Sequence, residues 1–165
     1  MKHLLLLLSM SIGLSACVVH GLPPAENLRV VKRAVPEYKK PQSLNIINYY
    51  KKTTMAVFPD MDGGPLNIEY DLKKFTYSAI KLVTQGVEHQ SIHVTGKSKK
   101  SVTLSIVDIT RKMGWNTSTY HISMNVELSN GVSFKVKAKG VGRSSSMLKV
   151  SEKFLQHPTF VKFMN

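Results

Sequence analysis

The chain has 165 residues, of which 42% are hydrophobic and 20% charged. That fits one globular domain behind a removable leader and excludes wholesale disorder, collagen-like repeats and a multidomain machine. Lys and Arg number 23 against 10 acidic residues, a formal charge of +13, so an anionic partner is a first expectation, and the lone cysteine excludes an internal disulfide framework or a multi-cysteine metal centre.

The chain opens with Met1-Lys2-His3, then Leu4 to Leu8 and a run of small residues ending at Ala16-Cys17. A basic start, an apolar core and small residues make a secretion signal. The uncharged stretch from Leu4 to Val19 is shorter than the roughly 20 residues a membrane-spanning helix requires, and no later segment comes closer. Leu14-Ser15-Ala16-Cys17 resembles the lipobox of bacterial lipoproteins, in which the leader is cut before the cysteine and the new terminus carries lipid. The resemblance implies a signal peptide over 1–16 and lipidation at Cys17. Two or three acyl chains would hold the product on a membrane, where one chain alone is marginal. In such lipoproteins an Asp after the cysteine favours the inner membrane. Val18 and Val19 stand here instead, which implies the periplasmic face of the outer membrane in a Gram-negative envelope.

Residues 17–42 carry Pro23, Pro24, Pro36 and Pro41 among basic residues without periodicity. They read as a lipidated terminus and flexible tether, with a reach of roughly 25 to 30 Å. The remainder, 43–165, reads as a periplasmic domain. Ser43 to Val57 predicts a strand broken or ended near Lys51-Lys52, followed by a loop from Phe58 to Pro65. Asp60-x-Asp62-Gly63 is similar to the start of a calcium loop but lacks its later ligands. Asn67 is a candidate cap for a helix with Ile68, Leu72, Phe75, Ala79 and Leu82 on one face and Gly86 as its stop.

Strict alternation then marks three strands, carried by Val102, Leu104 and Ile106, by Tyr120 to Leu128, and by Val132 to Ala138, with a weaker strand around Ser91 to Thr95. In the last hairpin a two-residue Asn130-Gly131 turn would pair Leu128 with Ser133, mixing apolar and polar side chains on one face. A three-residue Ser129-Asn130-Gly131 loop with Gly131 in the left-handed position pairs Leu128 with Val132, Val126 with Phe134 and Met124 with Val136, and is the expected register. A helix follows Ser144 to Ser146, with Met147, Val150 and Phe154 on its apolar stripe, and Pro158 ends it or begins a short closing helix. The predicted class is α+β, a two-layer sandwich of antiparallel sheet with helices on one face.

The mature domain resembles small proteobacterial lipoproteins of the YajG-like type. The resemblance lies in the lipobox at Cys17, the helix to Gly86, the Leu128-Ser129-Asn130-Gly131 hairpin, and the helix from Ser145 through Phe154 leading to Phe160-Val161-x-Phe163. It implies location and architecture, and brings no catalytic residues.

Catalytic chemistry finds little support. His89 and His93 have a helical ligand spacing but follow Gly86, so four residues of loop or strand separate them by about 13 Å. His121 falls on the polar sheet face beside Lys139, and His157 precedes a proline; solvent exposure accounts for both. No Gly-x-Ser-x-Gly elbow occurs, and Asp60, Asp62, Glu69 and Asp71 cluster where a turn and a first helical turn favour acids. The expectation is a protein that is not an enzyme, with no cofactor and no metal. Lys135, Lys137 and Lys139 project from one face of one strand opposite Asn125, Ser123 and His121, and are the candidate binding residues. Their partner would be an envelope protein or an anionic polymer such as lipopolysaccharide or peptidoglycan, since secretion disfavours nucleic acid; the other partner is the membrane, through covalent lipid at Cys17.

Overall fold

The computed structural model describes residues 18–39, 42–62 and 67–165. The leader, Cys17, Lys40, Pro41 and the Gly63-Gly64-Pro65 part of the expected loop lie outside the described residues. Among the described residues eight strands and three α-helices follow in order, with a short 3-10 helix at Lys32–Ala34 between the first two strands: β1 (Val18–Gly21), β2 (Ser43–Asn48), β3 (Met55–Pro59), β4 (Asn67–Asp71), α1 (Leu72–His89), β5 (His93–Val94), β6 (Ser101–Met113), β7 (Ser118–Leu128), β8 (Ser133–Val141), α2 (Gly142–Leu155) and α3 (Pro158–Met164). The fold is α+β. A five-stranded sheet runs β5-β2-β6-β7-β8, and α1 packs on β2 and β6 while α2 packs on β7 and β8. A second sheet runs β1-β4-β3.

The sheets are mixed where antiparallel pairing was expected. β2 lies parallel to both β5 and β6, and β1 lies parallel to β4. The physical reason is connection length: β2 reaches β6 only through β3, β4, α1 and β5, a crossover that returns the chain in the same direction. The break at Lys51-Lys52 therefore divides the predicted strand between two sheets.

Asn67 does not cap α1. Ile68 and Tyr70 are buried and alternate with half-buried Asn67, Glu69 and Asp71, so this stretch is β4. Helix α1 starts at Leu72, with the Asp71 carboxylate accepting from the Lys74 N–H at 3.2 Å. The fourfold spacing of Ile68 and Leu72 joins two different elements. Gly86 does not stop the helix either, since α1 continues to His89. A Cβ at Gly86 would stand 2.3 Å from Leu155 Cδ1, so glycine there lets α1 and α2 approach closely.

The predicted hairpin register holds throughout: Val126 pairs with Phe134, Met124 with Val136 and His121 with Lys139. The Leu128 N–H donates to the Val132 carbonyl, and Gly131 takes φ +83° at the bulge. Strand β6 runs well past Ile106, because a bulge between Ile106 and Asp108 inserts Val107 and shifts the alternation so that Ile109 is the next buried residue. The bulge is supported from both sides. The Ile106 N–H donates to Thr76 Oγ1 of α1 at 2.9 Å, and the Tyr50 hydroxyl donates to the Ile106 carbonyl at 2.9 Å.

The segment read as a tether is folded against the body wherever it is described. Val18–Gly21 pairs with Asn67–Tyr70. Val30, Val35 and Tyr38 are buried, and the Tyr38 hydroxyl donates to the Leu155 carbonyl at 2.9 Å. Gln90 and Gln156 side-chain amides donate to the Val35 and Ala34 carbonyls. Apart from β1 and a single 3-10 turn at Lys32–Ala34 the segment has no regular structure where it is described, but extended chain whose polar groups find partners on the body can dock without periodicity.

Candidate interaction surface

β8 is the last strand of its sheet, pairing with β7 on one side only. Hydrogen-bonded pairs recur at every second residue from Leu128–Val132, so the N–H and C=O groups of Lys135, Lys137 and Lys139 point away from β7. All three lysine side chains are exposed, while Val136 and Ala138 between them are buried. One edge strand thus presents a row of cations beside a row of backbone groups that no neighbouring strand among the described residues takes up. Lys153 of α2 reaches round this edge, its Nζ donating to the Lys137 carbonyl at 3.2 Å, a contact that joins a fourth cation to the row.

The neighbouring strands complete the polar face. Lys137 stands opposite Ser123, which stands opposite Asp108; Lys139 stands opposite His121, which stands opposite Thr110. The Val107 bulge is what turns Asp108 to this face, where its carboxylate accepts from the Ser123 hydroxyl at 3.4 Å. An open depression of about 450 Å³ lies here, lined by Lys137, Lys139, Lys153, His121, Asp108 and Met61. Three cations and one carboxylate make it a setting for an anion. The sequence reading placed the three lysines and their partners; it missed Lys153, whose helical position gave no sign that it would bend round a sheet edge, and Asp108, hidden by the bulge.

Most of the other polar side chains considered from sequence have partners among the described residues, the exposed His93 being an exception. Asp60 is buried and accepts from Arg111 Nη2 at 2.6 Å, and the Asp62 carboxylate accepts from the Met113 N–H. Its hydrogen bond to the Asp60 carboxylate holds the Arg111 guanidinium still more firmly protonated than usual. Glu69 lies 3.0 Å from His20, and Asp71 caps α1. His89 ends α1 with Nε2 3.2 Å from the Val30 carbonyl, and His93 lies in β5. His157 does more than face solvent: its Nδ1 accepts from the Thr159 N–H at the start of α3, and its ring stacks on Phe134 at 4.1 Å. Ser144 Oγ accepts from the Ala25 N–H, and the buried Ser146 hydroxyl lies within 3.0 Å of the Tyr120, Gly140 and Gly142 carbonyls. Among the described residues no three His, Asp or Glu side chains gather as a metal cluster, and no helix is long and apolar enough to cross a membrane.

No family model matches the chain, and no curated protein matches it. Among solved structures it is similar to protein XCC0632 from Xanthomonas campestris, described by the family model DUF330, with a TM-score of 0.50 and 9% sequence identity over 89% of this chain and 95% of that one. At that identity the likeness is one of fold, shared with a bacterial protein along nearly its whole length.

Proposed function

We propose that this chain is a lipoprotein of the Gram-negative outer membrane, of the YajG-like type, whose periplasmic α+β domain is a non-enzymatic interaction or envelope-assembly module. The observation that carries the reading is the lipobox at Leu14-Ser15-Ala16-Cys17 directly behind a short apolar core. The fold likeness to another bacterial protein is compatible with it. Cys17 accepts the lipid, and the domain works at the membrane surface. In fractionated cells the wild-type chain is expected in the outer-membrane fraction after a salt wash, and Cys17→Ser in the soluble periplasm. A Cys17→Ser protein still in the salt-washed membranes would refute the anchor.

A second reading, favoured by the cationic edge of β8, is a binding module for an anionic envelope polymer. Lys135, Lys137 and Lys139 would supply the charge, with Lys153 completing the site. Binding to lipopolysaccharide or peptidoglycan would then weaken with added salt, because contacts between exposed charges are screened beyond about 8 Å at physiological ionic strength. The triple Lys→Gln protein is expected to lose most of that affinity, measured by sedimentation with each polymer; an unchanged affinity would remove these lysines from any such site.

A further inference from the structure

Strands β6 and β7 meet in a tight turn, where Met113 pairs with Ser118 and the Gly114 N–H donates to the Thr117 carbonyl at 2.7 Å, leaving Trp115-Asn116 at the tip. Trp115 is 99% exposed. A two-residue turn favours glycine, asparagine or aspartate, so nothing in the turn requires an indole, and this one packs on no part of the body. Met113 beside it and Met61 on the adjoining loop are also exposed, as is the Lys112 side chain.

The direction in which the tip points can be read from the pairing. Val18 pairs with Asn67, and Asn67 with Pro59, so the start of β1, the start of β4 and the end of β3 share one end of the small sheet. Asp60 then bridges to Arg111 in the parallel sense, the Met61 N–H donates to the Arg111 carbonyl, and Asp62 accepts from the Met113 N–H. β6 therefore advances towards Trp115 in the direction that β3 advances towards Pro59, which is the end where β1 begins. Trp115 follows Arg111 by four residues, so the tip extends roughly 10 to 13 Å past that level. Cys17 is the residue immediately before β1.

We infer that the Trp115 hairpin tip is a second membrane contact, inserted into the interfacial layer of the lipid surface beside the anchor. The orientation rests on the reading of Cys17 as the lipidated residue. An indole has an apolar body and one N–H, and sits at the headgroup level of a bilayer. The tip reaches past the start of β1 by more than the roughly 5 to 10 Å depth of interfacial apolar groups, enough to carry the indole into that layer, and Lys112 stands where anionic headgroups would meet it. With β1 paired to β4 directly after the anchor, the domain lies against the membrane in a fixed orientation.

The test uses the single tryptophan of the chain as its own probe. The full-length lipidated protein is reconstituted into phosphatidylethanolamine–phosphatidylglycerol vesicles, and Trp115 emission and iodide quenching are read against Cys17→Ser protein in buffer. Insertion gives emission at shorter wavelength and protection from iodide. Addition of the same vesicles to Cys17→Ser protein produces the shift at higher lipid concentration, and labelled Trp115→Ser/Cys17→Ser protein partitions roughly tenfold less well. Lipidated, vesicle-bound protein with solvent-like, fully quenched emission would overturn the tip contact and leave the anchor standing. An unmodified thiol in the native protein would overturn the anchor, whereas a vesicle-dependent shift in Cys17→Ser protein would still support the tip.

Discussion

Asp60→Ala is expected to lower the stability of the domain by about 3 to 5 kcal/mol, the usual cost of removing one member of a buried ion pair. The Asp60 side chain is 3% exposed and that of Arg111 18%, so the guanidinium left behind would have little water to replace its partner. The loss would exceed that of the pair itself, because Asp60 is where the small sheet is joined to the long strand β6. Asp60 Oδ1 and Arg111 Nε are buried without a partner among the described residues, so the pair is incompletely satisfied, and replacing both residues with apolar ones of similar volume should cost far less than Asp60→Ala. Urea denaturation of wild type, Asp60→Ala and Asp60→Leu/Arg111→Met checks both statements. A single-variant loss under 1 kcal/mol would mean that the two sheets are held together by other contacts.

Phe154→Ala should destabilise by a similar amount, about 3 to 5 kcal/mol, for a different reason. Phe154 is fully buried on α2, with its ring 4.3 Å from Phe160 of α3 and 6.3 Å from Phe134 of β8. Truncation leaves a cavity where α2, α3 and the edge strand meet, and the neighbours that could fill it are themselves pinned. Phe134 stacks on His157, and Phe160 packs edge-on to Tyr38 of the docked N-terminal segment. Thermal unfolding followed by circular dichroism provides the measurement, and a variant melting within a few degrees of wild type would place the centre of the core elsewhere. Tyr38 gives this region a link to the N-terminal segment: burial pushes its hydroxyl well above the ordinary tyrosine value, so its contribution is present below pH 10 and is lost as the pH rises further.

The predictions that succeeded from sequence were those in which side-chain chemistry repeats at a fixed period. β7 and β8 alternate without interruption, and Gly131 leaves one loop length compatible with keeping Val132, Phe134 and Val136 on one face, so register and edge lysines followed together. The stripe of Met147, Val150 and Phe154 likewise marked α2. Expectations failed where one period ran into another. Asn67 to Asp71 alternates as a strand, yet Ile68 also lies four residues before Leu72, and the helical reading swallowed β4. Val107 broke the alternation of β6, so the second half of that strand went unread, and with it the hairpin carrying Trp115. A lone Trp between Gly114 and Asn116 was the available signal.

The sequence by itself determined the α+β class, the pairing of β7 with β8, the cationic row on β8 and the candidate anchor at Cys17, because each rests on local periodicity or a contiguous motif. Only the tertiary structure decided that residues 18–39 are docked, that Asp60 and Arg111 join the two sheets, that Lys153 completes the β8 row, and that the Trp115 tip lies towards the end at which β1 begins. Each of these depends on residues tens of positions apart being brought together by parallel pairing and crossovers, and loop closure of that kind leaves no periodic trace in the order of the amino acids.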